Sequence, residues 1–213
     1  MADTAHINTD DHEVDSGHGE HESTGIENRK LGMWVFLSSE FMFFGALISN
    51  YLLFKGRDFT GFSGITLIYP RELYDIPFTS ISSFVLLMSS LTMVLAHDAL
   101  VSGDQNRTRV WIAATGMLGM VFIGGQFFEF TEFIHAGMTI SSNPAASAFY
   151  MLTGFHGAHV FLGIVMLMSL WGISRRQGGL TEEQGLNLEL VGLYWHFVDI
   201  IWIVIFTIVY LIP

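Results

Sequence analysis

Ionisable side chains inside apolar stretches are the residues that could do chemistry in this 213-residue chain. Glu40 lies in the middle of the run LSSEFMFF, where three of the next four residues are phenylalanines. A charge at mid-membrane costs about 2.5 to 3.5 kcal/mol on insertion scales, so such a residue is retained where something uses it. One interpretation is a carboxyl that contacts lipid or exchanges protons. The other is a neutral acid that hydrogen-bonds to a neighbouring helix, and the sequence leaves both open.

A second acidic group ends the third apolar run, GGQFFEFTEF, which holds Gln126, Glu129 and Glu132. Two carboxylates three residues apart share one face of a helix. Paired carboxylates can act as an acid and a base, but no nucleophile or oxyanion donor accompanies these two. The pattern therefore favours hydrogen bonds between helices, and we expect no catalytic residue in this chain.

Three histidines lie in the last two apolar runs, His156 and His159 in GFHGAHV and His196 in YWHFVDIIW. A haem held by two histidines needs its ligands on facing helices at the same depth. The helices of His156 and His196 run in opposite directions, and both residues lie toward the N-terminal half of their own helix, so matched depth is not favoured. We expect histidines packed against tryptophans and carbonyls, and no bound metal.

The last run carries a polar stripe, in which Trp195, Asp199 and Trp202 follow i, i+4, i+7 spacing and His196 lies three residues before Asp199. A buried aspartate beside a histidine can share a proton with it and remain nearly neutral. Such a pair could fix a contact between helices or lie at an interface with a partner subunit. The chain has no P-loop, G-x-S-x-G, H-E-x-x-H or C-x-x-C-H motif.

Composition assigns the chain to a broad class before any motif is considered. It is 51% hydrophobic and 14% charged, and it contains no cysteine. These values are typical of a membrane protein and exclude a disulfide scaffold. The formal net charge of −11 would repel a phosphate backbone, so we expect no nucleic-acid partner.

Five apolar runs are each long enough to cross about 30 Å of hydrocarbon as a helix, which takes roughly 20 residues. No water in that layer can satisfy exposed amides, so helices are the expected form. The sequence predicts an all-α integral membrane protein, a bundle of five transmembrane helices in a domain of residues 29–213. The predicted spans are 31–54, 78–96, 110–130, 149–173 and 190–212.

Basic residues predict the orientation of the bundle. The side of the N-terminus carries six of them (Arg29, Lys30, Arg107, Arg109, Arg175, Arg176) and the opposite side three (Lys55, Arg57, Arg71). This bias predicts a cytoplasmic N-terminus, an outer C-terminus and an ordered external loop at 55–77. Residues 1–28 hold eight acids and four histidines (His6, His12, His18, His21), and we expect them to form a disordered cytoplasmic tail without a fixed metal site.

Several strings together resemble subunit III of the haem-copper terminal oxidases in its five-helix bacterial form. They are LGMWVFLSSEFMFFGAL, GGQFFEF, FYMLTGFHGAHVFLGI and YWHFVDIIWIVIFTIVYL, and the likeness runs from about Leu31 to Pro213. The wording of the last two strings is closer to the cytochrome c oxidase type. Longer family members carry two additional N-terminal helices that this chain lacks.

The resemblance implies an accessory subunit, without an active site of its own, of an enzyme that couples oxygen reduction to proton translocation. Such a subunit packs on oxidase subunits I and II, binds structural phospholipid, supports proton uptake and protects the enzyme during turnover. Haem and copper would lie in the partner subunits. The resemblance also implies a bacterial inner membrane location, and contact with cytochrome c or a larger respiratory supercomplex through the whole complex.

The resemblance also assigns individual residues. Glu40 falls on the buried glutamate that reacts with carbodiimides in the family, and Glu129 falls on the third-span glutamate. Four further residues fall on the family's signature polar positions: His156, His159, His196 and Asp199. The alternatives within the superfamily are a quinol oxidase subunit III and a membrane protein associated with nitric-oxide reductase. From another class, the alternative is a free-standing transporter or haem b protein.

Overall fold

The computed structural model describes residues 27–57, 75–175 and 179–212, apart from the side chain of residue 182. The expected tail at 1–28 lies outside the described residues except for its last two positions. The expected external loop at 55–77 also lies largely outside them. The side that faces the cytoplasm therefore stays a prediction from the basic residues.

Every described secondary-structure element is helical, and five helices are long and apolar enough to cross a membrane. They are α1 (Asn28–Phe54), α2 (Ile76–Val101), α3 (Gln105–His135), α4 (Pro144–Ser174) and α5 (Glu182–Phe206), with a terminal π-helical turn at Thr207–Leu211. The prediction of an all-α bundle of five membrane-length helices is confirmed. Most of the helices are longer than the predicted apolar spans because polar capping residues and first turns extend them.

Capping residues explain where the helices begin. The side chains of Asp75, Asp104 and Asn143 accept hydrogen bonds from backbone N–H groups in the first turns of α2, α3 and α4. At α5, Thr181 and Gln184 form a capping box, in which each side chain accepts from the backbone of the other. These acceptors satisfy N–H groups that the helix itself leaves free at its start.

The helices pack as a closed ring with one helix added outside it. Helix α2 packs on α3, α3 on α4, α4 on α5, and α5 again on α2, while α1 lies against α4 and α5. We call the N side the end of the bundle where α1, α3 and α5 begin, and the C side the opposite end. At the N side Lys30 of α1 pairs with Glu189 of α5 at 2.8 Å, which ties the outer helix to the ring.

Trp195 of α5 fills the centre of the ring and is fully buried. A Cβ atom added at Gly119 of α3 would lie 2.7 Å from the Trp195 ring, and one added at Gly163 of α4 would lie 2.8 Å from it. The indole therefore occupies space that only glycine leaves on both neighbouring helices. Small residues at helix contacts allow this close approach in membrane bundles.

We predict that Gly163→Ala destabilises the bundle by about 1–3 kcal/mol, because a methyl group there overlaps an indole that has no room to move. The matched control is Gly154→Ala on the same helix, where an added Cβ atom meets nothing within 4 Å. The measurement is the midpoint of thermal unfolding of the protein purified in mild detergent. Equal midpoints for the two variants would show that Trp195 is not tightly held.

Candidate functional site

Helices α2 and α5 are joined by hydrogen bonds from indoles to serines. Trp195 Nε1 donates to Ser89 Oγ at 2.9 Å, and Trp202 Nε1 donates to Ser83 Oγ at 2.9 Å. All four side chains are buried. The two helices run antiparallel, so the later tryptophan meets the earlier serine. The tryptophans are seven residues apart and the serines six, so both pairs meet at matching depths. The predicted stripe of Trp195, Asp199 and Trp202 therefore faces the interior of the bundle.

Glu40 and His159 form a pair between α1 and α4. Glu40 Oε2 lies 3.1 Å from His159 Nε2, and His159 Nδ1 lies 2.7 Å from the backbone oxygen of Phe155. A carbonyl oxygen only accepts, so Nδ1 carries a proton. One further proton then lies between Nε2 and the carboxyl, and the pair is net neutral whichever atom holds it. This geometry favours the interpretation of Glu40 as an acid bonded to a neighbouring helix.

Aromatic rings surround this pair on the protein side. The rings of Phe43 and Phe44 lie 6.3 and 5.0 Å from that of His159, measured between centroids. The Tyr194 hydroxyl donates to the His159 backbone oxygen at 3.0 Å. The side chains of Glu40 and His159 are 19% and 16% exposed. The pair is therefore largely covered by these rings but remains partly exposed at the surface of the bundle.

His156 lies one turn away from His159 and is fully buried. Its ring stacks on Trp202 at 4.8 Å, and the edge of Phe122 lies 6.0 Å away. Both ring nitrogens lack a hydrogen-bond partner among the described residues. The stacking agrees with the expectation of a histidine packed against tryptophan, but the expected carbonyl partner is absent there.

Asp199 and His196 do not bond to each other. His196 Nδ1 lies 2.6 Å from Ser90 Oγ, whereas neither carboxyl oxygen of Asp199 has a hydrogen-bond partner within the described segments. Ser90 is also near the Asp199 carboxyl but forms no hydrogen bond with it, so its hydroxyl is bonded to His196 and stands next to Asp199. Three residues advance a helix by 300°, so the side chains of His196 and Asp199 point about 60° apart. This angle leaves room for Ser90 of α2 next to both.

Glu129 is buried and binds two hydroxyl groups. Its Oε1 accepts from Thr79 Oγ1 at 2.9 Å and from the Tyr210 hydroxyl at 3.1 Å, which joins α2, α3 and the terminal turn. Lys55 donates to the backbone oxygens of Ile208 in that turn and of Ile212 directly after it. The C side is thus fastened by a carboxyl and an ammonium group.

The other two members of the predicted acidic group are separated from Glu129. Gln126 is buried and donates to the Thr153 backbone oxygen of α4 at 3.2 Å. Glu132 is exposed and takes no part in these buried contacts, although its spacing predicts one shared face with Glu129. The reason is that the two positions lie about 60° apart around α3, and the edge of the buried face falls between them.

The hydroxyl partners of this network were not predicted from the sequence. They are Thr79, Ser83, Ser89, Ser90 and Tyr210. The sequence contained one signal for them. The serine pairs at 82–83 and 89–90 are seven residues apart, and Trp195 and Trp202 are also seven residues apart. Serine is common in transmembrane helices and also bonds to its own backbone, so this spacing alone does not identify a partner.

The described polar side chains form pairs and short networks between helices. Among these residues, no three His, Cys, Asp or Glu side chains come together in a way that could hold a metal ion. What the arrangement can do chemically is hold helices together and move protons between neighbouring groups.

Comparison with known proteins identifies the family. The sequence profile of the family described as cytochrome c oxidase subunit III matches residues 10–212. The chain belongs to the cytochrome c oxidase subunit III family. A probable quinol oxidase subunit 3 of Staphylococcus saprophyticus is 38% identical to it over 90% of this chain and 96% of the relative. The cytochrome c oxidase subunit 3 of Bacillus sp. (strain PS3) is 36% identical over 87% of this chain and 86% of the relative.

A third relative, the quinol oxidase subunit 3 of Bacillus subtilis, is 34% identical over 85% of both chains. The resemblance noted from the sequence is thereby confirmed. The five membrane-length helices and the bacterial relatives make this subunit III a multi-pass bacterial membrane protein.

The pair between α1 and α4 gives a prediction about stability. His159→Leu leaves the Glu40 carboxyl without its partner, which costs about 1–3 kcal/mol for a buried polar group. Glu40→Gln costs less, because the amide N–H can still donate to His159 Nε2. Thermal unfolding of the purified protein measures both effects. The double variant Glu40→Leu/His159→Leu should be more stable than His159→Leu alone. A loss in the double variant equal to the sum of the losses in Glu40→Leu and His159→Leu would contradict the pairing.

Proposed function

We propose that this chain is an accessory, non-redox subunit III of a haem-copper terminal oxidase. It packs on the catalytic subunit and supports proton uptake and turnover stability during aerobic electron transport. The observation that carries the proposal is the family match over residues 10–212. Three polar groups of the spans add support, because Glu40, Gln126 and Glu129 each bond to another helix of the same chain.

The partners in this proposal are oxidase subunits I and II, which hold the haem and copper. Cytochrome c or a larger respiratory supercomplex contacts the chain only through the assembled enzyme. Relatives named for quinol and for cytochrome c stand at 38% and 36% identity. Both quinol and cytochrome c are therefore compatible with this chain as the electron donor of the enzyme. We assign the choice between them to the partner subunits.

Phospholipid is the ligand that we propose for this chain itself. Helix α1 presents a wide apolar face, on which Val35, Phe41 and Met42 are more than 60% exposed. A groove of about 420 Å³ lies between the C-side ends of α1 and α4, and its polar lining includes Asn50, Ser141 and Ser147. A phospholipid with its acyl chain along α1 and its headgroup at this groove would match the apolar face of the helix and the polar lining of the groove.

A free-standing transporter or haem b protein is the alternative from another class. The transmembrane helices are continuous in the described residues, whereas transporters often use broken helices at their binding sites. The ring of His156 is enclosed by the rings of Phe44, Phe122 and Trp202. Both observations favour the accessory subunit.

The deciding experiment is a pull-down of the tagged chain in mild detergent, with a visible spectrum taken before and after stringent separation of its partners. We expect a haem-copper spectrum that leaves with the partners and a colourless chain. Colour retained by the isolated chain would overturn the proposal and would make His156, His159 and His196 candidate ligands.

The proposal also predicts the effect of Glu40→Gln on the oxidase. We expect normal assembly and an initial rate of oxygen reduction close to wild type, because Glu40 pairs with His159 within this chain and touches no reacting atom. Oxygen uptake by the purified complex measures the rate. Loss of the initial rate in a fully assembled complex would contradict an accessory role.

A further inference from the structure

A groove between α2 and α5 opens near the N side of the bundle and has a volume of about 370 Å³. Its lining is apolar except for four titratable side chains: His97, Asp98, Glu189 and His196. Asp98 is exposed, and the other three are partly buried. Polar side chains in a groove at the membrane face permit water to enter it.

Behind the groove, hydrogen-bonding groups continue inward. His196 lines the groove, and its Nδ1 lies 2.6 Å from the Ser90 hydroxyl oxygen. Ser90 is near Asp199 without a hydrogen bond to it, and Asp199 is buried at 3% exposure with both oxygens lacking a partner within the described chain. An unpaired carboxylate is costly in such a place, so the carboxyl is stable there only while it holds a proton.

Within the part of the chain that the structure describes, no charged group bonds to Asp199. The described titratable groups that contact α5 on either side of Asp199 include His97 and Asp98 from α2, Lys30 from α1 and His156 from α4. Lys30 is bonded to Glu189 at 2.8 Å, and the ring of His156 stacks on Trp202. Ser90 therefore remains the polar group that joins Asp199 to the groove.

The seam between α2 and α5 continues toward the C side as a second, smaller groove of about 190 Å³. Its lining is largely apolar, and its buried serine, Ser83, accepts a hydrogen bond from Trp202. Asp199 thus has a polar approach from the N side and an apolar barrier toward the C side. A path of this kind ends at the carboxyl and does not cross the membrane.

We propose that His196, Ser90 and Asp199 form a dead-end proton-exchange path that opens through the α2–α5 groove. No hydrogen bond joins Ser90 to Asp199 at rest, so the Ser90 O–H first turns toward the Asp199 carboxylate. Groove water then gives a proton to His196 Nε2 while His196 Nδ1–H passes its proton to Ser90 Oγ and the Ser90 O–H proton passes to the carboxylate. Each relay group gains one proton and loses one, and the reverse sequence returns the proton to the groove. The path belongs to this chain, and Asp199 stores the proton.

The test is infrared spectroscopy of the intact purified complex after transfer into D₂O. The carboxyl band of Asp199 is assigned by [¹³C]aspartate labelling and by its loss in Asp199→Asn. The labelling identifies the band as one of an aspartate, and Asp199→Glu, which moves the band out of the aspartate set, assigns it to Asp199 where Asp199→Asn fails to assemble. We expect Ser90→Ala to slow deuterium exchange of this band by about tenfold or more, because the relay loses its central hydroxyl.

Two controls isolate the path. Ser80→Ala removes a hydroxyl from the same helix that bonds to the Ile76 backbone oxygen at 2.7 Å, and it should leave the Asp199 band unchanged. The Glu129 band should exchange equally in wild type and Ser90→Ala, because its partners are Thr79 and Tyr210. Equal exchange of the Asp199 band in wild type and Ser90→Ala, or no band of a protonated buried aspartate, would overturn the proposal.

The outcome for the path is separate from that for the proposed function. Copurification of the haem-copper subunits, read on a gel of the same preparation, tests whether the chain is an oxidase subunit. If the full-length chain purified alone, the proposed function would fail, and the same infrared comparison on that chain would still decide the path.

Discussion

The burial of Trp195 is the constraint on which the rest of the bundle depends. Its indole N–H lies where a membrane offers no water, so it must find an acceptor inside the protein, and Ser89 supplies one. The ring needs space on both sides, and Gly119 and Gly163 leave that space on α3 and α4. One side chain of α5 therefore fixes the rotation and depth of three neighbouring helices, and α1 adds to the assembly by pairing Glu40 with His159.

The same rule governs the other polar groups of the spans. Glu129, Gln126 and Trp202 each bond to a group on another helix, so each contributes to stability through a contact that lipid could not replace. His156 and Asp199 depart from the rule, because their buried polar atoms have no partner within the described chain. Such groups cost free energy unless water or a proton satisfies them, which makes them the places where a role beyond packing is to be sought.

Most of these buried polar groups bond to another helix, and two have no partner within the described chain. This arrangement fits an accessory subunit in an oxidase. The helix contacts produce a stable scaffold, and the broad apolar face of α1 is available to lipid. In the proposed path, the α2–α5 groove connects Asp199 inside the scaffold to one side of the bundle through His196, which lines the groove. A subunit built in this way can buffer protons beside a partner that consumes them, and it needs no redox centre of its own to do so.

The sequence by itself determined the five helices, because length and hydropathy are local properties and a span must satisfy its own backbone. It also singled out most of the polar residues that matter, including Glu40, Glu129 and Asp199. Only the tertiary structure decided their partners. The spacing of His196 and Asp199 suggested a direct pair, yet His196 is bonded to Ser90, and Glu132 turned outward while Glu129 turned inward. Partners depend on the relative rotation and depth of helices, which are set by contacts between residues as far apart as Ser89 and Trp195, 106 positions along the chain.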